Sequence, residues 1–256
     1  MGSKNFRALN ALYASLKRKV KGMHGWNYDA IVFGAHPDDA EIGAGGMIAQ
    51  EVRLGRKVMI CDLTAGEMSS NGDKVQRRRE ALASAEVLGV SERLCLGFPD
   101  RGLVECEEQI SEIVRVIREF RPRVVFTPWH ADDHLDHVQA TRLVRAAVLN
   151  ARLRRYGSTN PWAVERVWEY FIHEMPQNPL FLRLDEEDGI VKQTALRCYV
   201  SQFQVGEDTM ATRLLGLPQR LEWRDRLAGS QVGAPWAEGF WQREPLGFRD
   251  LWNILD

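Results

Sequence analysis

The chain has 256 residues, 45% hydrophobic and 27% charged, with 34 Lys and Arg against 35 Asp and Glu for a formal net charge of -1. That is soluble globular composition with apolar mass for one large domain. It offers no basic excess for a nucleic-acid surface and no apolar stretch near the ~18 residues of a membrane span. The four cysteines, at 61, 95, 106 and 198, form no CxxC pair, which argues against a cysteine zinc site and for reduced thiols in a cytoplasmic protein.

Residues 1–28 read as a basic amphipathic extension, in which Ala8 to Leu16 has helical spacing and Lys17, Arg18, Lys19 and Lys21 follow. The order of charge and apolar residues is not that of a signal peptide. The segment is expected to pack on the domain or on a neighbouring subunit, with peripheral membrane contact as the sharper alternative. Residues 29–256 form the main domain. Ala30 to Ala35 is a continuous apolar run, as in a buried parallel strand. Ala40 to Leu54 has helical period and carries Gly43-Ala44-Gly45-Gly46 near its start. Val58 to Leu63 is a second strand, 66–73 a polar loop, and Lys74 to Leu88 a helix closed by Gly89. Arg93 to Leu96 is a third strand, Ile110 to Phe120 a helix with apolar positions on one face, and Arg123 to Thr127 a fourth strand. Val138 to Leu153 is the next helix. This alternation predicts an α/β fold, a Rossmann-like open, mostly parallel sheet with helices on both faces. After Asn160 the pattern is less regular and rich in Trp; strands are expected at 164–172 and 180–184 and a helix at 191–199.

In such sheets the ligand site lies beyond the carboxyl ends of the strands. The first strand runs into His36-Pro37-Asp38-Asp39, and the fourth into Trp129-His130-Ala131-Asp132-Asp133-His134-Leu135-Asp136-His137. Three of the six histidines thus fall within eight residues, and a fourth is expected at the same sheet edge. Imidazole and carboxylate together suit a divalent metal site. Such an ion acidifies water, a carboxylate beside it accepts the proton, and a further histidine stabilises an oxyanion or protonates a leaving amine. This is a set of parts for amide hydrolysis. The glycines at 43–46 suggest a competing nucleotide-dependent oxidoreductase or transferase. A dinucleotide loop wants its glycines directly after the strand, however, where His-Pro-Asp-Asp stands, so close helix packing is the expected use. A third reading, a non-catalytic sugar-binding protein, has no need of Asp38 beside a metal.

Ala35-His36-Pro37-Asp38-Asp39-Ala40-Glu41-Ile42-Gly43 and His134-Leu135-Asp136-His137 resemble the motifs of the LmbE-like, or PIG-L, deacetylase family. Supporting stretches lie at 62–68, 77–81, 96–100 and 201–203. Within the family, the bacillithiol-pathway deacetylases of N-acetylglucosaminyl malate look nearest. The resemblance implies a Rossmann-like fold and removal of acetyl from an N-acetylglucosamine unit by a Zn2+ enzyme, with Fe2+ or Mn2+ as alternatives. By motif position, His36, Asp39 and His137 would be metal ligands and Asp38 the general base. His134 would stabilise the oxyanion or assist departure of the amine, and Asp136 would pair with His134. Glu67 and Arg77 lie in stretches that shape the family's sugar pocket. Asn71 stands in a loop where the bacillithiol enzymes usually have Arg, so a malate carboxylate loses its expected bidentate partner. Leu135 replaces a common Pro. Trp129 is the candidate sugar platform, His130, Asp132 and Asp133 are expected to be solvated, and His173 is expected to make a structural hydrogen bond. The reading is a cytoplasmic N-deacetylase of a small amino-sugar substrate, assembled as a homo-oligomer.

Overall fold

The computed structural model describes residues 27–176, 178–204, 210, 212 and 214–247. The basic extension expected at 1–28 therefore lies outside the described residues, apart from Asn27 and Tyr28, and so does Trp252. Tyr28 belongs to the first strand.

The strands are β1 (Tyr28–Gly34), β2 (Val58–Thr64), β3 (Glu92–Phe98), β4 (Pro122–Pro128), β5 (Arg166–Tyr170), β6 (Leu180–Leu184) and β7 (Trp236–Trp241). The helices are α1 (Asp39–Arg53), α2 (Lys74–Leu88), α3 (Glu107–Phe120), α4 (Leu135–Ala151), α5 (Glu186–Arg197), α6 (Val200–Phe203) and α7 (Leu217–Gln231). The sheet runs β3-β2-β1-β4-β5-β7-β6. Its first four pairings are parallel, and β7 runs antiparallel to both β5 and β6. The expected open, mostly parallel sheet is thus what forms.

Alternation along β1 explains the two cores. Ala30 and Val32 face α1, α2 and the C-terminal helices, whereas Ile31 and Phe33 face α3 and α4. Register levels the functional ends: Gly34 pairs with Asp62 of β2, and Val32 with Phe126 of β4. Because β2 and β4 flank β1, the chain leaves β1 and β4 on either side of the topological switch point, where open α/β sheets form their crevice.

The glycine segment is a packing device. A Cβ on Gly43 would sit 2.1 Å from Tyr170 Cδ2, one on Gly45 would sit 2.9 Å from Lys192 Cγ, and one on Gly46 would sit 2.4 Å from Leu184 Cδ1. These side chains fill the space that a pyrophosphate would need, which removes the physical basis of the nucleotide reading.

The C-terminal region is more regular than its sequence pattern suggests. The helix expected at 191–199 begins at Glu186 instead, because Asp185 and Asp188 form a reciprocal capping box. Helix α7 escaped the pattern because its inward positions include Asp225 and Gly229, while Trp223 and Leu227 point outward, each 64% exposed. Strand β7 was hidden in the same way by the buried Glu238 and Gly239 in its centre.

Candidate active site

The turn after β1 and the turn after β4 meet over the switch point. The resulting cleft, about 860 Å³, is lined by His36, Asp38, Asp39, His134, His137 and His173, with Ile42, Ile172 and Leu221 on its apolar side. Asp38 is the N-cap of α1 and holds φ at 112°, a strained conformation for a residue with a Cβ. Asp39 follows in the first helical turn, where the dipole favours negative charge. His134 is the N-cap of α4, and its Nδ1 accepts the Asp136 N–H at 3.2 Å.

Hydrogen bonding sorts the four histidines by the ring nitrogen each leaves bare. His137 places Nδ1 2.9 Å from Asp132 Oδ1, and Nε2 3.2 Å from Asp39 Oδ1. His36 places Nε2 3.3 Å from both Asp100 Oδ1 and Asp136 Oδ2, and Nδ1 3.5 Å from Asp39 Oδ2. A carboxylate only accepts, so Asp132 fixes the proton of His137 on Nδ1, while Asp100 and Asp136 fix that of His36 on Nε2. Each ring turns its other nitrogen towards Asp39, and with a cation held there that nitrogen would offer its lone pair. Carboxylates behind imidazoles are the usual outer shell of a metal site, and the donor set N, N, O with His134 beside it fits a divalent ion of zinc type. His134 differs from these two. Its Nδ1 is occupied as an acceptor, so the neutral ring carries its hydrogen on Nε2 and is a donor. Nitrogens of His36, His134 and His137 all lie within 4.8 Å of one another.

The electrostatics agree. Burial alone would depress His36 and His137, but the surrounding carboxylates outweigh it and lift His36 well above its ordinary value and His137 to about 9. Burial opposes ionisation of Asp39 too, yet His137 and His36 hold it well below the usual carboxylate range. The field around Asp39 thus favours positive charge, which a cation supplies with both rings neutral. Burial pushes Asp38 up to about 7 against the pull of Arg77, close to where a general base works best. Burial and the two neighbouring imidazoles lower His134 to about 4, keeping it neutral.

Among known proteins, residues 31–148 match the family described as PIG-L, GlcNAc-PI de-N-acetylase. A diacetylchitobiose deacetylase of Thermococcus kodakarensis is 32% identical over 77% of this chain and 78% of its own. A 1D-myo-inositol 2-acetamido-2-deoxy-alpha-D-glucopyranoside deacetylase of Kineococcus radiotolerans is 31% identical over 59% of this chain and 54% of its own. The crystal structure of a conserved protein from Thermus thermophilus is 35% identical with a TM-score of 0.78, covering 88% of this chain and 98% of that one. The chain belongs to the PIG-L family.

Several residues of this PIG-L chain take partners that their motifs did not suggest, although Arg77 and Asn71 do line the cleft. Asp136 does not pair with His134. As the second residue of the cap it gives that ring its N–H, and its carboxylate turns instead to His36 and to the Arg101 N–H at 2.8 Å. Arg77 is buried in the cleft wall and donates from Nη2 to the Pro37 carbonyl at 2.5 Å and to Asp38 Oδ2 at 3.3 Å, so it braces the base. Asn71 closes a two-bond clamp on the backbone of Met210, at 3.0 and 2.8 Å, which leaves its amide one N–H and one lone pair at the cleft. Glu67 is exposed and accepts the Asp100 N–H at 2.9 Å. Trp129 packs edge-on against Phe171, 5.6 Å between centroids, away from the cleft.

His130 bonds Glu169 at 2.6 Å and is half exposed, and Asp133 is exposed at the cleft mouth, as expected. Asp132 is buried, contrary to expectation. It accepts from His137, His173 and the His134 N–H, each at 2.9 Å. Asp100 was not singled out either. Its sequence signals were its place at the end of the supporting stretch 96–100 and in the Pro99-Asp100 turn after the third strand.

Proposed function

We propose that the protein is a divalent-metal N-deacetylase that hydrolyses the acetamide of an N-acetylglucosamine unit in a small molecule, releasing acetate and the free amino sugar. The observation that carries this reading is the convergence of His36 Nδ1 and His137 Nε2 on Asp39, at 3.5 and 3.2 Å, beside a buried base whose pKa is raised to about 7. His36, Asp39 and His137 would hold the ion, which would polarise the amide carbonyl and acidify water. Asp38 takes the proton as the water oxygen bonds to the carbonyl carbon. Arg77 keeps the Asp38 carboxylate aimed into the cleft. The Nε2–H of His134 donates to the oxygen that gains negative charge. When the C–N bond breaks, the proton held on Asp38 passes to the departing nitrogen.

The N-acetylglucosamine unit is carried over from the family description and from the substrates named for the two relatives. Zinc is the proposed ion, since two imidazoles and a carboxylate suit it. Four free cysteines support a cytoplasmic location. Trp223 and Leu227, exposed one turn apart on α7, support a homo-oligomer.

The test combines metal analysis with acetate release from free N-acetylglucosamine, N,N'-diacetylchitobiose, and malate-, nucleotide- and lipid-linked forms. About one ion per chain and acetate from at least one of these are expected. A metal-loaded protein that releases acetate from none of them sinks the reading.

A further inference from the structure

His173 follows β5 at the same sheet edge and has no role in the chemistry above. Its ring is 41% exposed, lines the cleft, and lies nearly parallel to the rings of His137 and His134, with centroids 5.3 and 6.4 Å away. Nδ1 is 2.9 Å from Asp132 Oδ1, and the backbone N–H of His173 donates to Asp132 Oδ2 at 3.4 Å. Asp132 therefore fixes His173 at two points. Because a carboxylate accepts only, the hydrogen of the neutral ring sits on Nδ1, and Nε2 is left as a bare acceptor on the edge of the ring away from Asp132. His134 has the opposite tautomer. Two parallel imidazoles of opposite polarity thus border one cleft: His134 donates and His173 accepts.

An acetamide gives the site nothing to donate except its N–H. The sugar ring carries hydroxyls on the carbons next to the acetamide-bearing one. We propose that His173 orients the substrate by accepting, through Nε2, a hydrogen bond from a sugar hydroxyl beside the acetamide. Asp132 is the positioning residue that sets this polarity. The proposal rests on the deacetylase reading and adds to it a contact that selects a hydroxylated ring over a simple acylated amine. Once bound sugar covers this ring, an acceptor left without its hydroxyl also discriminates better than an apolar wall does.

The test is equilibrium binding of N-acetylglucosamine and of analogues each lacking one hydroxyl. It uses Asp38→Asn protein to prevent turnover, with and without His173→Ala, and metal content is measured in both. His173→Ala is expected to weaken N-acetylglucosamine binding about tenfold, equivalent to ~1.4 kcal/mol, and to keep its metal. One deoxy analogue should bind both proteins equally, and His173→Gln, which keeps an acceptor, should recover part of the loss. The same penalty for every analogue, no penalty at all, or loss of metal overturns the proposal. If the sugar binds without this discrimination, the deacetylase reading survives. If the His173-intact protein binds no amino sugar at all, both readings fall.

Discussion

A single oxygen, Asp132 Oδ1, binds two imidazoles, one facing Asp39 and one lining the cleft. Removing it leaves the His137 ring free to rotate and to change tautomer, without touching any proposed ligand atom. Asp132→Ala should therefore weaken divalent-ion affinity by about 10–100-fold, the usual cost of losing such a partner, as measured by competition with a chromophoric chelator. Unchanged affinity would show that the ring is held by its packing alone. Asp38→Asn separates the base from the ligands. It should keep the ion and lose about 10²–10⁴-fold in kcat, and near-normal turnover would remove Asp38 from the mechanism. The sequence placed His36, Asp38, Asp39, His134 and His137 at one sheet edge because strand ends are legible from apolar runs. It did not reveal which carboxylate serves which ring. That depends on the cap of α4, where the Asp136 N–H takes His134 Nδ1 and so turns the Asp136 side chain away, towards His36.

Helix α1 carries both aspartates at its start, so their aim depends on how closely the helix lies on β5, β6 and α5. Its glycines set that distance. In Gly43→Ala the new methyl meets Tyr170, whose hydroxyl donates to the Phe33 carbonyl at 2.7 Å near the end of β1. The ring cannot withdraw without breaking that bond. Overpacking of this kind typically costs ~1–3 kcal/mol. The variant should lose that much stability in a denaturant titration, and should lose activity as well because Asp38 and Asp39 shift with the helix. Retained stability would mean that the layer is looser than its contacts indicate. The first four strands and helices could be read from the sequence because each obeys a single period. Helix α2, with Asp73 accepting from the Val75 and Gln76 N–H groups and Gly89 at φ 68°, even announced both of its ends. Helix α7 and β7 could not be read, since their buried faces hold charge and glycine. That pattern makes sense only once the partners across the core are known.

Those partners form one buried network that joins the late elements to the site helix. Lys192 of α5, fully buried, lies 2.7 Å from Asp225 of α7 and 2.6 Å from Glu238 of β7, and Glu238 accepts the Gly46 and Met47 N–H groups of α1 at 2.9 and 2.7 Å. Lys192→Met leaves buried Glu238 without a cation and Asp225 with Arg224 alone, at 2.9 Å, a fault worth ~3–5 kcal/mol. At ~2–4 °C per kcal/mol for a chain of this size, the melting temperature should drop by roughly 6–20 °C; a smaller drop would mean that the carboxylates are reached by water. Metal binding should also set how stability depends on pH. In the metal-free protein His137 titrates near 9, raised from 6.5. Its stabilising contribution is then fully present below about 6.5 and is lost as pH rises through 9. Asp100 moves the other way, lowered from 3.8 to about 2 against burial by His36, so its contribution is present above 3.8 and is lost as pH falls through 2. Between roughly pH 4 and 6.5 both contributions are present. With a divalent ion bound, His137 is already neutral and has no proton to lose. Thermal melts from about pH 6.5 to 9.5 should therefore show the chelator-treated protein losing stability steadily while the metal-loaded protein stays nearly level. Parallel curves would mean that no ion engages His137.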